Sequence, residues 1–483
     1  MKNGLFLTAL VVLIAAACGD SDSYSAPVPE PVVITDDVIV VGPITGFGSV
    51  IVNGIEFGTD SATVTMDDQP GTPAELRIGM MVSIRGTIDT GTGAANAGEI
   101  DFFDNAEGPV SGIDHAAGYF FMLGQKVFVD ELTMFENATF ENLAAGHVVQ
   151  VSGLVRNHEQ IQATHVYRIA NEYAAGMTME VKGEIEDLDI GNHQFRIGAQ
   201  SCNYSEASLE LGGADIANGM YVEASSVVPI DGEQMMLNRV QVREQQRNRY
   251  SLCETDCTFE IVGYVTFFDS ETNFEVNGQP VTTTQDTVYI NGTVASLGLD
   301  VRVAINGTLN DDDILVAEQI VFRLPSLVEI KADVETLDTA GALTVLGVPV
   351  QTNEFTVFHD HTTSGPRDFG FDDLVVGDRV NIRAYTDGGS VVASRLERED
   401  PDTEVTLKAL VEVIERPSIV LLGVTVTSDE NTVFQNAAHV VIDADEFFDL
   451  VELDSLVRTE GVYDGASILA SKMFLRECLN NCL

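Results

Sequence analysis

The sequence has no tryptophan and little positive charge. Aromatic residues make up only 7% of its 483 residues, so few side chains are available on which bases or sugar rings could stack. Lys and Arg number 25 against 75 Asp and Glu, which gives a net charge of −50 at neutral pH. A field of this sign repels phosphate backbones, and nucleic acid is therefore not expected as a partner. Two explanations of the acidity stay open, namely adaptation to salty surroundings and the binding of cations.

Apolar runs long enough to span a membrane are also lacking. The most apolar stretch, Leu5 to Ile14, precedes three alanines and Cys18, and this pattern indicates a secretory signal peptide over residues 1–17. The segment before Cys18 resembles a bacterial lipoprotein box, which predicts lipidation of Cys18. Ala15 stands where such boxes usually have Leu, so cleavage of the same bond by an ordinary signal peptidase is the alternative.

The residues after this cysteine are polar and rich in proline. Residues 18–41 therefore predict a stiff tether that holds the folded part away from a membrane surface. Together with the signal peptide, the tether predicts export across the inner membrane and a lipid-anchored protein of the bacterial envelope, at the outer membrane or the cell surface. The lipid anchor is then the only expected membrane contact.

One signature recurs six times along the rest of the chain. It consists of an apolar residue, Gly or Asp three positions later, Val three positions after that, and a small residue four positions further on. The copies are Leu76, Gly79, Val82, Gly86; Leu143, Gly146, Val149, Gly153; Ile216, Gly219, Val222, Ser226; Leu297, Asp300, Val303, Gly307; Leu374, Gly377, Val380, Ala384; and Val451, Asp454, Val457, Gly461. The Val positions lie 67 to 81 residues apart, a spacing typical of one small barrel per copy.

Each copy alternates between apolar and polar residues over five segments, which predicts five strands. A short helical turn is expected before the fourth strand, as at Val294 to Leu299, and total helix should stay below roughly 15%. The predicted fold class is all-β, a tandem array of six small five-stranded OB-like barrels. The predicted repeats 1 to 6 are residues 42–103, 108–169, 180–242, 260–323, 329–398 and 404–475, followed by a Cys-containing tail at 476–483. Because the linkers are short, neighbouring barrels should touch.

The repeated pattern and the lipoprotein-like start resemble the secreted bacterial lipoproteins with tandem OB-like repeats, the domain-of-unknown-function 5666 family. The resemblance covers about nine-tenths of the chain, from Ile44 to Leu475. It implies the barrel fold and an address in the envelope. It implies no catalytic residues.

Five cysteines besides Cys18 fit an oxidising compartment. Cys253 and Cys257 share the same three-residue spacing as Cys478 and Cys482, and one helical turn would bring each pair within reach of a disulfide. We therefore expect these two disulfides, with Cys202 free or shared between molecules. The alternative of redox or haem chemistry would require two intervening residues.

The chain contains no Gly-x-Ser-x-Gly elbow, phosphate-binding loop or His-Glu-x-x-His motif, so catalytic residues and cofactors are not expected. The exception to the repeat pattern is His359-Asp360-His361 in repeat 5. Two histidines at alternate positions of a strand point to one face, and a carboxylate could complete a divalent-metal site with His359, His361 and Asp360. The alternative is a solvated surface loop. Acidic runs at 311–313 and 443–446 indicate solvated turns with at most weak divalent-cation binding.

The longest linker, residues 243–260, contains the one basic cluster, with Arg243, Arg247 and Arg249 next to Arg239. It could pair with acidic neighbours or contact an anion or polysaccharide. The sequence thus predicts a non-enzymatic envelope lipoprotein, a multi-barrel binding or scaffold protein for an envelope protein or glycan. The alternative is a metal-dependent enzyme or metal-handling protein that uses the His359/His361 region.

Lipidation of Cys18 is directly testable. We expect mass spectrometry of the mature N-terminus to show an acylated Cys18, because the small residues before it and the tether after it are typical of lipoprotein processing. The matched control is Cys18→Ser, which should lose both the acyl mass and membrane retention. A free Cys18 at the mature N-terminus, or cleavage at another bond, would contradict the prediction.

Overall fold

The computed structural model describes residues 35–476 apart from positions 90, 116, 158–159, 231–233, 244–256, 364, 366–367 and 439. The signal peptide, Cys18, most of the tether, Cys253, Cys478 and Cys482 lie outside the described residues. Within the described part, strands dominate, and one α-helix is present, the seven-residue α1 (Ala444–Leu450) in repeat 6. The all-β prediction is therefore confirmed.

Repeats 1 to 3 contain strands β1 to β21. In repeat 1 these are β1 (Thr35–Phe47), β2 (Val50–Val52), β3 (Ile55–Gly58), β4 (Thr63–Met66), β5 (Gln69–Gly71), β6 (Met81–Asp89) and β7 (Ala95–Phe102). Repeat 2 has β8 (Ala106–Asp114), β9 (Tyr119–Met122), β10 (Gln125–Phe128), β11 (Met134–Glu136), β12 (Val148–Asn157) and β13 (Gln160–Ala170). Repeat 3 has β14 (Met179–Glu184), β15 (Glu186–Asp189), β16 (Gln194–Ile197), β17 (Gln200–Asn203), β18 (Ser208–Glu210), β19 (Tyr221–Ser226), β20 (Gln234–Met236) and β21 (Arg239–Val242).

Repeats 4 to 6 contain strands β22 to β38. Repeat 4 has β22 (Thr258–Ser270), β23 (Asn273–Val276), β24 (Gln279–Ile290), β25 (Arg302–Leu309) and β26 (Leu315–Phe322). Repeat 5 has β27 (Val328–Leu337), β28 (Ala342–Val345), β29 (Val348–Gln351), β30 (Val357–Asp360), β31 (Arg379–Asp387) and β32 (Ser390–Glu399). Repeat 6 has β33 (Val405–Glu415), β34 (Ser418–Leu421), β35 (Val424–Gln435), β36 (Val441–Ile442), β37 (Leu456–Tyr463) and β38 (Ser467–Arg476). Short 3₁₀ turns at Pro73–Glu75, Val294–Ser296 and Phe371–Asp373 precede β6, β25 and β31, which correspond to the predicted fourth strand of repeats 1, 4 and 5.

Repeat 4 shows the barrel in its simplest form. Strands β22, β23 and β24 form an antiparallel meander, β24 pairs in parallel with β26, and β25 lies between β26 and β22. The closed order is first, second, third, fifth and fourth strand, which is the OB-type arrangement predicted from the sequence. Repeat 6 keeps these pairings with a continuous third strand, β35, and repeats 1, 2 and 5 keep them with an interrupted third strand. In repeat 3 the strands fall into two separate sheets.

The second position of the repeated signature needs a left-handed backbone. Gly79, Gly146, Gly219 and Gly377 have φ between 81° and 96°, and the two aspartates at this position, Asp300 and Asp454, have φ of 64° and 63°. Gly adopts such angles freely and Asp tolerates them better than most residues. The turn before the fourth strand therefore explains why the signature alternates between these two residue types.

The small residue that ends the signature lies at a bulge between the fourth and fifth strands. The strand register shifts at Gly86 in repeat 1 and at Gly307 in repeat 4. A Cβ added at Gly307 would lie 2.1 Å from the Val316 carbonyl oxygen, and at Gly86 it would lie 2.2 Å from the Asn96 carbonyl oxygen. Backbone crowding at this bend thus selects a small side chain.

The repeats associate in pairs through their first strands. Residues 38–41 of β1 pair in parallel with residues 258–261 of β22, which joins repeat 1 to repeat 4. Antiparallel contacts between β8 and β14 join repeats 2 and 3, and those between β27 and β33 join repeats 5 and 6. Sheets therefore continue from one barrel into the next, and the sequence did not reveal this. The order of contacts also differs from the order in the chain.

Strand β1 begins at Thr35, inside the segment predicted as tether. Its apolar residues explain the difference, because Ile39 and Val41 pack in one core with Phe259 of repeat 4 and Leu154 of repeat 2. Strand β1 is therefore fixed by its own repeat and by repeats 2 and 4. Among the described residues, no helix is both long and apolar enough to cross a bilayer.

A buried lysine lies where repeats 1, 2 and 3 meet. The Lys182 ammonium lies 2.5 Å from Asp67, 2.6 Å from Asp104 and 2.9 Å from Glu180. These three carboxylates are close enough together to hold a metal ion, but Lys182 already supplies the positive charge they need. Burial raises the pKa of Glu180 to about 9; the charge of Lys182 opposes this effect, and the surrounding carboxylates add to it.

The described arginines of the basic cluster extend this junction. Arg239 lies 2.6 Å from Glu223, and Arg243 pairs with Glu223 and with Asp68 of repeat 1. These contacts favour the interpretation of Arg239 and Arg243 as partners of acidic neighbours. Arg247 and Arg249 lie outside the described residues.

Glu107 predicts a pH dependence of stability. It faces Glu180 across β8 and β14, and burial, with the charges of Asp104 and Asp67, raises its pKa to about 7. Stability from this group is therefore present below pH 4.5 and is lost as the pH rises through 7. We expect Glu107→Gln to raise the free energy of unfolding at pH 8 by about 1 kcal/mol, with little effect at pH 5.

Chemical denaturation at the two pH values measures this difference. The control is Glu206→Gln, since Glu206 is exposed in repeat 3 and should change neither value. A stabilisation by Glu107→Gln that is the same at both pH values would contradict the assignment.

Candidate functional site

A cavity of about 1090 Å³ lies where repeats 2, 4, 5 and 6 meet. Repeat 2 contributes the segment around β10 and β11, and repeat 4 contributes Tyr264, Asp300 and Arg302. The linker after β26 and the inner strands of repeats 5 and 6 complete the wall. A space of this size can enclose a ligand as large as a short oligosaccharide or peptide. No single repeat contains it, so the cavity depends on how the repeats pack.

The cavity wall has a charge balance unlike that of the whole chain. Seven of the 25 Lys and Arg residues line it, but only six of the 75 Asp and Glu residues do. The basic residues are Lys126, Arg156, Arg302, Arg323, Arg383, Arg395 and Lys408. The cavity therefore concentrates positive charge that is scarce elsewhere in the molecule.

Four of these cations hold the repeats together. The Arg156 Nε atom donates to Asp300 Oδ1 at 2.7 Å, which links repeat 2 to repeat 4. Glu131 of repeat 2 pairs with Lys408 of repeat 6, and its backbone carbonyl accepts a hydrogen bond from Arg395 Nη1 at 3.1 Å. Arg383 lies 2.5 Å from the carboxylate of Glu329 in repeat 5, which also pairs with Arg458 of repeat 6. These contacts fix the geometry of the wall.

The other three cations have no carboxylate partner within the part of the chain that the structure describes. Neither Arg302 nor Arg323 forms an ion pair or a side-chain hydrogen bond with the described residues, and Arg302 Nε is buried without a partner. The Arg323 guanidinium lies 3.9 Å from the centre of the Phe355 ring, and Lys126 lies 3.8 Å from that of Tyr119. Burial and the nearby Arg302 lower the pKa of Arg323 to about 10.

Of the two histidines predicted as metal ligands, His361 lines the same cavity and His359 lies next to it. His359 lies in the edge strand β30 and His361 directly follows its last residue, with the two ring centres 4.1 Å apart. His361 Nε2 lies 3.0 Å from Glu397 Oε1, and His359 Nδ1 lies 3.8 Å from the same oxygen. Ligand atoms of the three side chains lie within 4.8 Å of one another, so the structure brings together a His₂Glu cluster.

The carboxylate of this cluster is not Asp360. Because side chains alternate along a strand, Asp360 faces away from the histidines and its buried carboxylate pairs with Arg398. Glu397 takes its place because β30 pairs in parallel with β32, where His359 and Glu397 are opposite each other. Burial opposes ionisation of Glu397, but Arg395 and the two histidines outweigh it and hold its pKa well below the ordinary range.

The remaining residues singled out in the sequence have structural roles. Cys202 is a free thiol buried in the core of repeat 3, and burial raises its pKa to about 12. Cys257 is buried at the start of β22, and its predicted partner lies outside the described residues. Asp443 caps α1 by accepting a hydrogen bond from the Glu446 backbone at 2.8 Å. Asp313 has a left-handed backbone in a turn. The acidic runs are therefore turn and cap residues.

Three residues of the site, Glu397, Arg302 and Arg323, were not predicted from the sequence. Glu397 comes next to the histidines only through parallel strand pairing, which no local pattern reports. Arg302 is the first residue of β25, and Arg323 directly follows the last residue of β26. The two are opposite each other, and the Arg323 amide donates a hydrogen bond to the Arg302 carbonyl at 3.0 Å. Since the chain has only 25 Lys and Arg residues, the presence of two arginines at the ends of predicted strands was the one sequence signal that could have pointed to this pair.

Comparison with known proteins gives the family. A model of the family described as Domain of unknown function (DUF5666) matches residues 41–101, 107–167, 262–321, 332–397 and 408–473. The matches cover five of the predicted repeats and about two thirds of the chain, and repeat 3 is outside them. A search of curated proteins found no match. With five copies of this domain, each folded around the same strand order, the chain belongs to the DUF5666 family.

Proposed function

We propose that this chain is a non-enzymatic binding protein of the bacterial cell envelope, anchored by Cys18, whose repeats form a scaffold around one ligand cavity. Its expected ligand is a segment of an envelope glycan or protein. The observation that carries the proposal is the cavity of about 1090 Å³, whose wall is built from four repeats. Tandem barrels that served only as spacers would not need to pack around a shared space.

The contacts across the cavity support a rigid binding site. Arg156 and Asp300 connect repeats 2 and 4, and Glu131 connects repeat 2 to repeats 5 and 6. A wall fixed in this way loses little conformational entropy when it binds a ligand, which favours affinity. The absence of tryptophan directs recognition towards hydrogen bonds and charge.

The chemistry of the cavity wall supports binding over catalysis. Its described lining includes no cysteine, and the hydroxyl of its one serine, Ser326, lies 2.6 Å from the hydroxyl of Ser394. His361 pairs with Glu397, and among the described residues no hydroxyl or thiol group forms a hydrogen bond with its ring. A nucleophile within hydrogen-bond reach of a base is the usual requirement for covalent catalysis.

Metal handling is the second candidate function. His359, His361 and Glu397 converge, and His359 Nδ1 is buried without a hydrogen-bond partner. Against this, Arg395 already pairs with the Glu397 oxygen that faces both histidines, so an incoming cation would meet a neutralised carboxylate. The pairing favours the binding protein over the metal protein.

The natural absence of tryptophan allows a direct test of the cavity. We expect Ala138→Trp, which places the only indole of the chain in the cavity wall, to change its fluorescence when fragments of envelope polysaccharide or envelope protein bind. Ala340→Trp, in an exposed turn of repeat 5, is the matched control and should not respond. Equal responses of the two variants, or none from Ala138→Trp, would contradict the cavity as binding site.

Titration with Zn²⁺ separates the two candidate functions. We expect weak binding that is the same in the wild type and in the double variant His359→Ala/His361→Ala, because Arg395 competes for Glu397. His193→Asn is the control, since His193 has a φ of 55°, which Asn tolerates. Stoichiometric binding that is lost only in the double variant, together with hydrolytic or redox turnover, would establish the metal protein instead.

A further inference from the structure

We propose that the cavity binds the oxyanion group of an acidic ligand, a sulfate, phosphate or carboxylate, between the guanidinium groups of Arg302 and Arg323. This proposal rests on the proposed function and gives its ligand a chemical class. The geometry that carries it is a pair of arginines that face each other across β25 and β26 and line both the large cavity and a smaller one of about 310 Å³.

Two like charges placed together need an explanation in this molecule. Carboxylates outnumber Lys and Arg by 75 to 25, so a carboxylate partner for each arginine was readily available. Asp300 is next to this pair but is taken by Arg156, and Glu260 and Glu354 are near Arg323 without forming an ion pair. Leaving two guanidinium groups without partners costs free energy, which an anionic ligand would offset.

The arginine geometry suits an oxyanion. Each guanidinium carries five N–H donors in a planar fork that matches the oxygens of a carboxylate, sulfate or phosphate. On one side Phe355 covers the Arg323 plane at 3.9 Å, which leaves its edge for hydrogen bonds. On the other side Tyr264 is opposite Arg302 in the ladder between β22 and β25 and adds a hydroxyl to the wall. Burial raises the pKa of Tyr264, so this hydroxyl keeps its proton.

The net charge of −50 does not exclude an anion from this position. At physiological salt the Debye length is about 8 Å, so carboxylates on the outer surface are largely screened from the cavity. The cations inside it are closer to a bound ligand and less screened. Lys126, which also has no ion pair in the described residues, is a further positive group in the same wall.

The test is thermal unfolding of the full chain in sodium sulfate, phosphate or acetate, with chloride used to hold ionic strength constant. We compare the wild type with Arg302→Gln, Arg323→Gln and the control Arg416→Gln, since Arg416 is an exposed surface arginine in repeat 6. Sulfate also stabilises proteins by exclusion from their surface, and the control measures this general effect. Binding to the folded state raises Tm in a saturable way.

We expect a saturable rise in Tm in the wild type and in Arg416→Gln. In Arg302→Gln and Arg323→Gln the apparent affinity for the anion should fall at least about tenfold. Without anion these two variants should unfold at or above the wild-type Tm, because removing one arginine relieves the repulsion within the pair. A lower Tm without anion, combined with an unchanged anion response, would show a structural role and overturn the proposal.

The comparison of anions identifies the group that is bound, since the three salts present the three oxyanions separately. The anion titration and the fluorescence test on Ala138→Trp can also give different answers, because the first tests the oxyanion site and the second tests the proposed function. An anion response that depends on Arg302 and Arg323, without any response to glycan or protein fragments, would leave the oxyanion site standing and reject the proposed function. A fragment response that survives both arginine substitutions would reject the oxyanion site alone.

Discussion

At a net charge of −50, packing one repeat against another brings carboxylates together, and each approach costs free energy unless a cation lies between them. The junctions of this molecule follow that requirement. Lys182 lies among carboxylates from repeats 1, 2 and 3, and Lys408 connects repeat 6 to Glu131 of repeat 2. The Glu329 carboxylate pairs with Arg383 of repeat 5 and Arg458 of repeat 6. Burial would raise the pKa of Glu329, but the two arginines outweigh burial and lower this pKa to about 2. At these junctions a basic residue therefore offsets the repulsion between carboxylates, while the pairing of first strands joins the repeats.

The cavity is a product of the same associations. Its wall takes residues from repeats that are far apart in the chain, and Arg156, Lys408 and Arg395 each contribute to it while joining two repeats. Holding the scaffold together and shaping the binding site are therefore one set of contacts. A substitution at Glu131 would change both the contacts between repeats and the shape of the cavity, because Glu131 contacts repeat 5 and repeat 6.

The sequence predicted the fold of the unit better than the arrangement of the units. The Gly or Asp of the signature was visible because the backbone of every copy makes a left-handed turn there, as at Gly79. The small residue after it was visible because five of the six copies have a bulge at that position, as at Gly307. Pairing of β1 with β22 left no comparable signal, since many strands in this chain carry similar apolar side chains. His359 and His361 were identified from strand alternation, and the same alternation already places Asp360 on the other face. Glu397 depended on parallel pairing with a strand far along the chain.

The parallel contact between β1 and β22 has a consequence for how the chain acquires its structure. Val38 is among the first described residues, and its partner Thr258 is more than two hundred positions later. A chain made from its N-terminus therefore presents one apolar edge of its first barrel without a partner until the fourth barrel has been made. Contacts of such long sequence separation slow folding and leave strand edges open to pairing with other chains. The repeats are separate units in the sequence, but repeat 1 needs a strand of repeat 4 to cover the free edge of β1. A fragment that ends after repeat 1 would lack this strand.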